Sequence, residues 1–248
     1  MTSLMQKLAR LAVKTFCRDP KLSAENFQSS YEKLCGMLDT LTPQDLNLNP
    51  RLLHDRGHYN ASRDGAPVTY MQIYEDQDVT VCVFILKHGV RLPLHDHPNM
   101  FGLLKVVHGV VGVQSYSLGE ASFDVGVGGM VPATKHPKVE VRAGDAACRL
   151  CPGDHNIHEI HSIDGPAAFL DILSPPYGED MRTGHDRDCH YYQELSPSLA
   201  PSLAPSLTTS ASPNSTWLLS VPTPADFWCD QVDYQGPTVS SDPDPRIS

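Results

Sequence analysis

The stretch Pro93-Leu94-His95-Asp96-His97-Pro98 decides how the rest of this sequence is interpreted. In an extended strand, His95 and His97 point to the same face, about 6–7 Å apart along the backbone. Two imidazoles at that separation can bind one metal ion. The prolines at either end restrict the backbone around the pair. Taken alone, a His-x-His pattern is equally compatible with two surface histidines. The surrounding sequence has to distinguish a metal-binding pair from that alternative.

A second group of histidines lies further along the chain, in the segment 151–161. It contains His155, His158 and His161. Strand alternation places His158 and His161 on opposite faces. His155 follows the turn at Pro152-Gly153 too closely to lie within a strand. From the residues alone, each of the three is a candidate third ligand.

Short apolar runs separated by turn residues surround both histidine segments. The chain has 21 prolines and 17 glycines, and such breakers between short runs are typical of β-structure. We therefore predict a mainly β fold, an antiparallel sandwich or barrel of the jelly-roll kind. The predicted strands are 68–74, 79–86, 100–107, 110–116, 139–141, 146–151, 157–161 and 167–173.

Residues 1–45 are predicted to form short helices packed on the barrel. Leu4, Leu8 and Leu11 share one face of a helix over residues 1–18, and a second helix follows Ser23. Thr42-Pro43 is typical of a further helix N-terminus. The first helix carries no acid before Asp19, which is also the pattern of a mitochondrial transit peptide. We favour the packed helix.

The remainder divides into three parts. Residues 46–195 are predicted to be the barrel core. Residues 196–212 begin with SPSLAPSLAPSL, a low-complexity repeat that cannot fill a core, and we expect a disordered insertion there. Residues 213–248 contain both tryptophans, so we expect this segment to dock back on the barrel and to fray at its end.

Composition excludes several classes of protein. The formal net charge of −10 argues against a nucleic-acid partner. The sequence has no apolar run of the length that spans a bilayer. Seven cysteines, an odd number without a secretory signal, favour a reduced protein. We expect a cytoplasmic location, with the nucleus as a second compartment and the mitochondrion ranked lower. Nothing in the sequence demands a second subunit, so we expect a monomer.

The histidine spacing resembles the two motifs of the cupin superfamily. The first cupin motif here runs from Gly89 to Gly109 through the histidine pair, but its glutamate is missing and Phe101 and Gly102 stand in its place. The second motif carries its histidine shortly after a P-x-G turn, which favours His158. The resemblance therefore implies a cupin-type double-stranded β-helix that holds a metal with three histidines and no carboxylate.

Five further segments look like the cysteamine (2-aminoethanethiol) dioxygenase and plant cysteine oxidase family of cupins. They are PLHDHP (93–98), GPAAFLDIL (165–173), PPY (175–177), DCHYY (188–192) and DFWC (226–229). The resemblance runs from the first helix to about Pro237, and the repeat at 196–207 has no place in the family pattern.

Membership of this family would imply one non-haem Fe(II) per chain, bound by His95, His97 and His158. Such enzymes add both atoms of O2 to a thiol sulfur and produce a sulfinic acid. Cysteamine becomes hypotaurine, and N-terminal cysteines of proteins are oxidised as well. The second reaction feeds the arginine branch of the N-degron pathway and makes the enzyme an oxygen sensor. Both substrates carry a thiol two carbons from an amine.

That shared fragment suggests further site residues. Asp171 lies in an apolar run, where a charge is costly unless it is paired or functional. We predict that Asp171 faces the cavity and orients the substrate amine; the alternative is a hydrogen bond to a nearby loop. Tyr177 is a candidate donor at the cavity lip, or else an ordinary packing residue. Cys189 and Tyr191 resemble the positions of a Cys–Tyr thioether in this family, a crosslink that is feasible here but not expected.

Two rival classes stay open at this point. A zinc-dependent cupin hydrolase or isomerase also uses three histidines and a water. A non-enzymatic cupin would be a binding module with no redox metal.

Overall fold

The structure, a computed structural model, describes residues 2–17, 23–118, 126–180, 183–184, 186–195 and 214–240. The predicted disordered insertion at 196–212 and the frayed end beyond residue 240 lie outside this part of the chain. Among the described residues, no helix combines the length and apolar character needed to cross a bilayer.

Two helices precede the barrel, α1 (Leu4–Phe16) and α2 (Ala24–Asp39). Ser3 and Ser23 begin them, and each hydroxyl accepts a hydrogen bond from a backbone N–H of the first turn. The apolar faces of both helices are buried against the sheet. The predicted N-terminal helices are therefore present and packed.

The further helix expected at Thr42-Pro43 is wrong. The backbone N–H and the hydroxyl of Thr42 both donate to the carboxylate of Asp45, at 3.0 and 2.6 Å, which closes a turn. Asn47 then adopts a φ of 49°, which ends any helical progression. Short helices follow at Pro50–Leu53, a 3₁₀ turn, and at Ala61–Asp64, α3.

Thirteen strands make up the rest of the described fold. They are β1 (Val68–Glu75), β2 (Thr80–Leu86), β3 (Arg91–His95), β4 (Phe101–Leu118), β5 (Met130–Lys135), β6 (Val139–Arg142), β7 (Cys148–Leu150), β8 (Ile157–Ser174), β9 (Gly178–Glu179), β10 (Asp186–Arg187), β11 (Tyr191–Glu194), β12 (Ser215–Val221) and β13 (Cys229–Gln231).

Six of these strands close into an antiparallel barrel. The ring runs β8–β3–β11–β12–β5–β4 and returns to β8, because β4 pairs with β8 as well as with β5. Strands β2, β1 and β13 extend the sheet beyond β8, while β6 and β7 pair with β4. The predicted mainly β, cupin-type barrel with short N-terminal helices is confirmed.

The predicted strands 100–107 and 110–116 are one long strand, and so are the predicted strands 157–161 and 167–173, so the turns expected between them are irregularities within strands. β4 continues through His108-Gly109, and β8 continues through Asp164-Gly165. Gly109 has a φ of 72°, and a Cβ there would lie 2.4 Å from the carbonyl oxygen of Pro166. Glycine therefore lets β4 bend against β8 without ending the pairing, and the register shifts on either side of His108.

The segment 213–248 does more than dock on the barrel, because part of it forms a strand of the barrel wall. Its strand β12 lies between β11 and β5, and Leu218 is fully buried inside the wall. The fold therefore needs residues on both sides of the 196–212 insertion.

The strands bury both faces of the sheet. In β8, Leu170 packs in the cluster that includes α1 and α2, whereas its neighbour Phe169 packs in a second cluster. Alternation along β8 thus separates the layer under the helices from the interior of the barrel.

Candidate metal centre

Four strands place one residue each in a row across the barrel. Tyr191 in β11 lies opposite His95 in β3, and His95 lies opposite His158 in β8. His158 in turn lies opposite Ser115 in β4. Directly opposite residues of a ladder point to the same face, so the pairing brings His95 and His158 side by side.

His97 reaches the same point by a different route from the one predicted. β3 ends at His95, so His97 lies in the turn beyond the strand and is not presented by strand alternation. The backbone N–H of His97 donates to Oδ1 of Asn156 (3.2 Å), and Nδ2 of Asn156 donates to the His97 carbonyl (2.7 Å). Asn156 is fully buried and holds this turn against the start of β8. Sequence reasoning missed Asn156, because its partner is distant in the chain.

The three histidines form a compact cluster. Their ring centroids are 4.7–4.8 Å apart pairwise. One nitrogen from each ring lies within 4.8 Å of the other two. All three side chains are buried. The structure therefore brings together the three residues predicted as ligands, His95, His97 and His158.

Hydrogen bonds determine which nitrogen of each ring is available. Nδ1 of His95 donates to the carbonyl of Pro93 (2.7 Å), and Nδ1 of His97 donates to the carbonyl of Asn156 (2.8 Å). Each ring therefore presents an unprotonated Nε2. Nε2 of His158 is buried with no hydrogen-bond partner among the described residues. An orphaned buried nitrogen is costly in a closed protein, and a metal ion would satisfy it.

Burial keeps these rings neutral. It lowers the pKa of His97 to about 3, with a smaller contribution from the charge of His95. Burial also lowers the pKa of His95 and brings the pKa of His158 well below its ordinary value. Neutral imidazole is the form that coordinates a metal.

The two other candidate histidines lie elsewhere. Nδ1 of His155 is 2.7 Å from the hydroxyl of Ser115, and its backbone φ is 53°. His161 lies opposite Gly112 in β4, and its ring occupies the space that a Cβ on Gly112 would fill. Neither ring belongs to the three-histidine cluster.

The residues that replace the cupin glutamate serve packing. The ring of Phe101 lies 5.5 Å from that of Phe27 and 6.0 Å from that of Phe16, so Phe101 faces the helices. A Cβ on Gly102 would lie 2.8 Å from Leu150. The three-histidine cluster therefore includes no carboxylate among the described residues.

The buried side chain of Asp96, the residue between the two histidines, fixes the turn through hydrogen bonds. Asp96 accepts hydrogen bonds from the backbone N–H (2.8 Å) and Nδ1 (3.1 Å) of His190 and from the hydroxyl of Tyr192 (2.9 Å). The backbone N–H of Asp96 donates to the carbonyl of His190 (3.1 Å). The His95–His97 turn is thus anchored to β11 and the residue before it. Sequence analysis missed this role of Asp96.

Asp171 is a buried residue of β8. It lies opposite Cys82 in β2 and Leu104 in β4, and Leu104 lines a cavity together with His158. Burial raises the pKa of Asp171 to about 8. Its charge also contributes to the raised pKa of Tyr177, after the burial of Tyr177 itself. The predicted role of Asp171 toward a substrate stays a proposal.

Tyr177, Cys189 and Tyr191 are gathered beside the turn. The ring of Tyr177 lies 5.8 Å from that of His97, and its hydroxyl donates to the carbonyl of Asp96 (2.6 Å). The hydroxyls of Tyr177 and Tyr191 lie close enough to the Cys189 thiol to influence its pKa. Burial raises the pKa of Cys189 to about 12. A thioether between Cys189 and Tyr191, feasible but not expected from the sequence, stays untested.

A cavity of about 240 Å³ opens beside His158. Its walls are mainly apolar, with Leu104, Val113 and Leu150 among them, and His155 and Arg149 add polar groups. Its volume lies just below the usual range for sites that enclose a small ligand.

Fold and site together define a class: a cupin-type barrel with a buried histidine cluster suited to bind a metal ion. The chain belongs to the PCO_ADO family, which it matches over residues 37–239. This confirms the predicted family.

Curated relatives cover almost the whole chain. It is 36% identical to the 2-aminoethanethiol dioxygenase of Mus musculus, a match covering 96% of this chain and 97% of the relative. It is 26% identical to plant cysteine oxidase 2 of Arabidopsis thaliana, covering 95% of this chain and 83% of the relative. A solved cupin superfamily protein from Desulfitobacterium hafniense aligns with a TM-score of 0.31 and 16% identity, over 44% of this chain and 78% of that one.

Proposed function

We propose that the chain is an iron(II)-dependent thiol dioxygenase. It converts cysteamine and O2 to hypotaurine, and it oxidises the N-terminal cysteine of proteins to cysteine sulfinic acid, as an oxygen-sensing step of the arginine N-degron pathway. In both reactions a thiol R–SH and one O2 give R–SO2H, so no further reductant is needed. Family membership and the names of the relatives support the reaction class.

The observation that carries the proposal is the set of three Nε2 atoms. His95 and His97 have their other ring nitrogen bonded to carbonyls, and Nε2 of His158 has no protein partner among the described residues. Three neutral nitrogens suit iron, zinc, copper or nickel. We choose iron because zinc has no redox chemistry. An iron(II) ion bound there would mediate the transfer of four electrons from the thiol sulfur to O2.

The chain's own residues hold and orient the thiol. We assign the carboxylate of Asp171 to the substrate ammonium, since a cation placed beside a buried acid favours the charged carboxylate. Leu104 and Val113 exclude water from the cavity wall. The hydroxyl of Tyr177 donates to the Asp96 carbonyl, so Tyr177 shapes the lip next to His97. Free cysteine is expected to be a poor substrate, because its carboxylate would approach Asp171.

The decisive experiment is metal analysis and O2 uptake of the full chain purified without oxygen. We expect one iron per chain and uptake that depends on cysteamine or on a peptide with N-terminal cysteine, but not on the same peptide with N-terminal serine. His158→Ala should lose iron and uptake, whereas the matched variant His161→Ala should keep both.

Other outcomes would favour the rival classes. Zinc without O2 uptake would favour a hydrolase or isomerase, and a protein free of metal would favour a binding module. Loss of iron in His161→Ala but not in His158→Ala would overturn the ligand assignment.

We also propose that the protein is a cytoplasmic monomer, with the nucleus as a second compartment. The odd number of cysteines supports a reducing compartment.

A further inference from the structure

A second group of metal-ligating side chains lies at the rim of the same cavity. It consists of His136, Asp154 and His155, with one ligand atom of each within 4.8 Å of the others. Oδ1 of Asp154 is 3.7 Å from Nε2 of His136 and 3.8 Å from Nε2 of His155. The two imidazoles are stacked, with centroids 3.9 Å apart. No part of the dioxygenase proposal uses these residues.

Two serines of β4 hold this group in place. The hydroxyl of Ser115 is 2.7 Å from Nδ1 of His155, which leaves Nε2 of His155 free to face Asp154. The hydroxyl of Ser117 lies 2.6 Å from Nε2 of His136, donates to Oδ1 of Asp154 (2.8 Å) and accepts from the backbone N–H of His155 (2.9 Å). Because Ser117 donates its proton to Asp154, it accepts from Nε2–H of His136, and a metal ion bound by that nitrogen would replace this hydrogen bond.

The group is open to solvent. The side chains of Asp154 and His155 are 61% and 41% exposed, and that of His136 is 22% exposed. Burial and the neighbouring His155 lower the pKa of His136, which favours the neutral ring that a metal ion requires. An ion from solution can therefore reach the group, where it would displace Ser117 from Nε2 of His136.

We propose that His136, Asp154 and His155 form a second metal site, which takes a divalent ion of the zinc and copper class. Two imidazoles and one carboxylate match the ligand preferences of these ions. A tetrahedral zinc with bonds of about 2 Å needs donor atoms about 3.3 Å apart. The Asp154 carboxylate, which is largely exposed, meets that spacing by a small movement, and solvent or Ser117 completes the coordination.

The proposed second site borders the same cavity as the three-histidine cluster but shares no residue with it. His155 and His158 both line the cavity, and Ser115, which holds His155, lies opposite His158 in the β4–β8 ladder. An ion bound by His155 would lie at the cavity rim. The second site does not depend on the proposed dioxygenase function, since its ligands are separate from His95, His97 and His158.

The test is equilibrium dialysis of the full chain against Zn²⁺, followed by metal analysis. Wild type is expected to bind one more zinc per chain than His136→Ala. Asp154→Asn is expected to bind that zinc at least about tenfold more weakly, in line with losses seen when residues around a metal are altered. His161→Ala, a half-buried histidine outside the group, is the matched control and should equal wild type.

A second comparison separates the two sites. His158→Ala is expected to keep the zinc that His136→Ala loses. Thermal unfolding of each variant checks that the fold is intact, and the two test positions lie in different loops, so one failed variant leaves the other informative. Equal zinc stoichiometry and affinity in wild type and in both test variants would overturn the second site.

Discussion

His155, His158 and His161 lie within seven residues, and each makes a different contact. His155 bonds to Ser115, His158 keeps a buried free Nε2, and His161 packs over Gly112. At the scale of single residues, the three histidines therefore differ in which ring nitrogen is left without a hydrogen-bond partner among the described residues. The surroundings of a single residue also set the properties of Asp171, because burial raises its pKa to about 8.

Asp171→Asn is expected to raise the KM for cysteamine about tenfold or more. A hydrogen bond to a charged group contributes ~1.5–3 kcal/mol, which corresponds to roughly ten- to hundredfold in affinity. Turnover of a small thiol that lacks the amine should change little. O2 uptake with the two thiols measures the difference.

Asp164→Asn is the matched control, because Asp164 lies in the same strand β8 and is exposed. Equal loss for both thiols in Asp171→Asn would show that Asp171 supports the structure and does not recognise the amine.

At the scale of elements, the turn after β3 depends on its link to β11. The buried carboxylate of Asp96 receives donors from His190 and Tyr192 and so joins two strands that are distant in the chain. Because an unpaired buried carboxylate is costly, this contact couples the position of the two histidines to the register of β11.

Tyr192→Phe is expected to lower the free energy of unfolding by about 1–2 kcal/mol, because it removes one donor to a buried charge. Tyr234→Phe is the matched control: its hydroxyl is buried without a hydrogen-bond partner among the described residues, so its removal should cost nothing. Urea unfolding of both variants gives the comparison. The interpretation of the Asp96 link fails if the two variants are equally stable.

At the scale of the whole molecule, the barrel is closed by two paired strands, β11 and β12, which lie on either side of the low-complexity segment in the chain. Residues 195–214 separate β11 from β12, and these two strands pair directly from Tyr191 opposite Val221 to Glu194 opposite Leu218. β11 and β12 therefore form a hairpin, and the length of a hairpin connection has a weak, logarithmic effect on stability.

Replacing residues 197–212 by a short Gly-Ser linker is expected to leave folding and metal content unchanged. Shortening the connection should stabilise the chain by roughly 1 kcal/mol or less. Deleting 215–221 instead should unfold it, because β12 completes the ring between β11 and β5. Circular dichroism and thermal unfolding measure both. Unfolding of the linker variant would mean that the repeat contributes to the fold.

Local sequence was sufficient for those features that depend on neighbours in the chain. Alternation and turn residues predicted the β class, and serine caps agree with the two helices. The three-histidine site was implied by the resemblance of the His-x-His segment to a cupin motif that lacks its glutamate. Turns at His108-Gly109 and Asp164-Gly165 were predicted wrongly, because a bulge and a turn use the same residues and only pairing with a second strand distinguishes them.

Tertiary structure decided what depends on strand register. Which histidine joins His95 and His97 follows from the pairing of β8 with β3, and the roles of Asn156 and Asp96 follow from partners far away in the chain. A shift of one residue in register moves every side chain of a strand to the other face. The sequence by itself therefore determined the kind of site, while the closure of the barrel determined which residues form it.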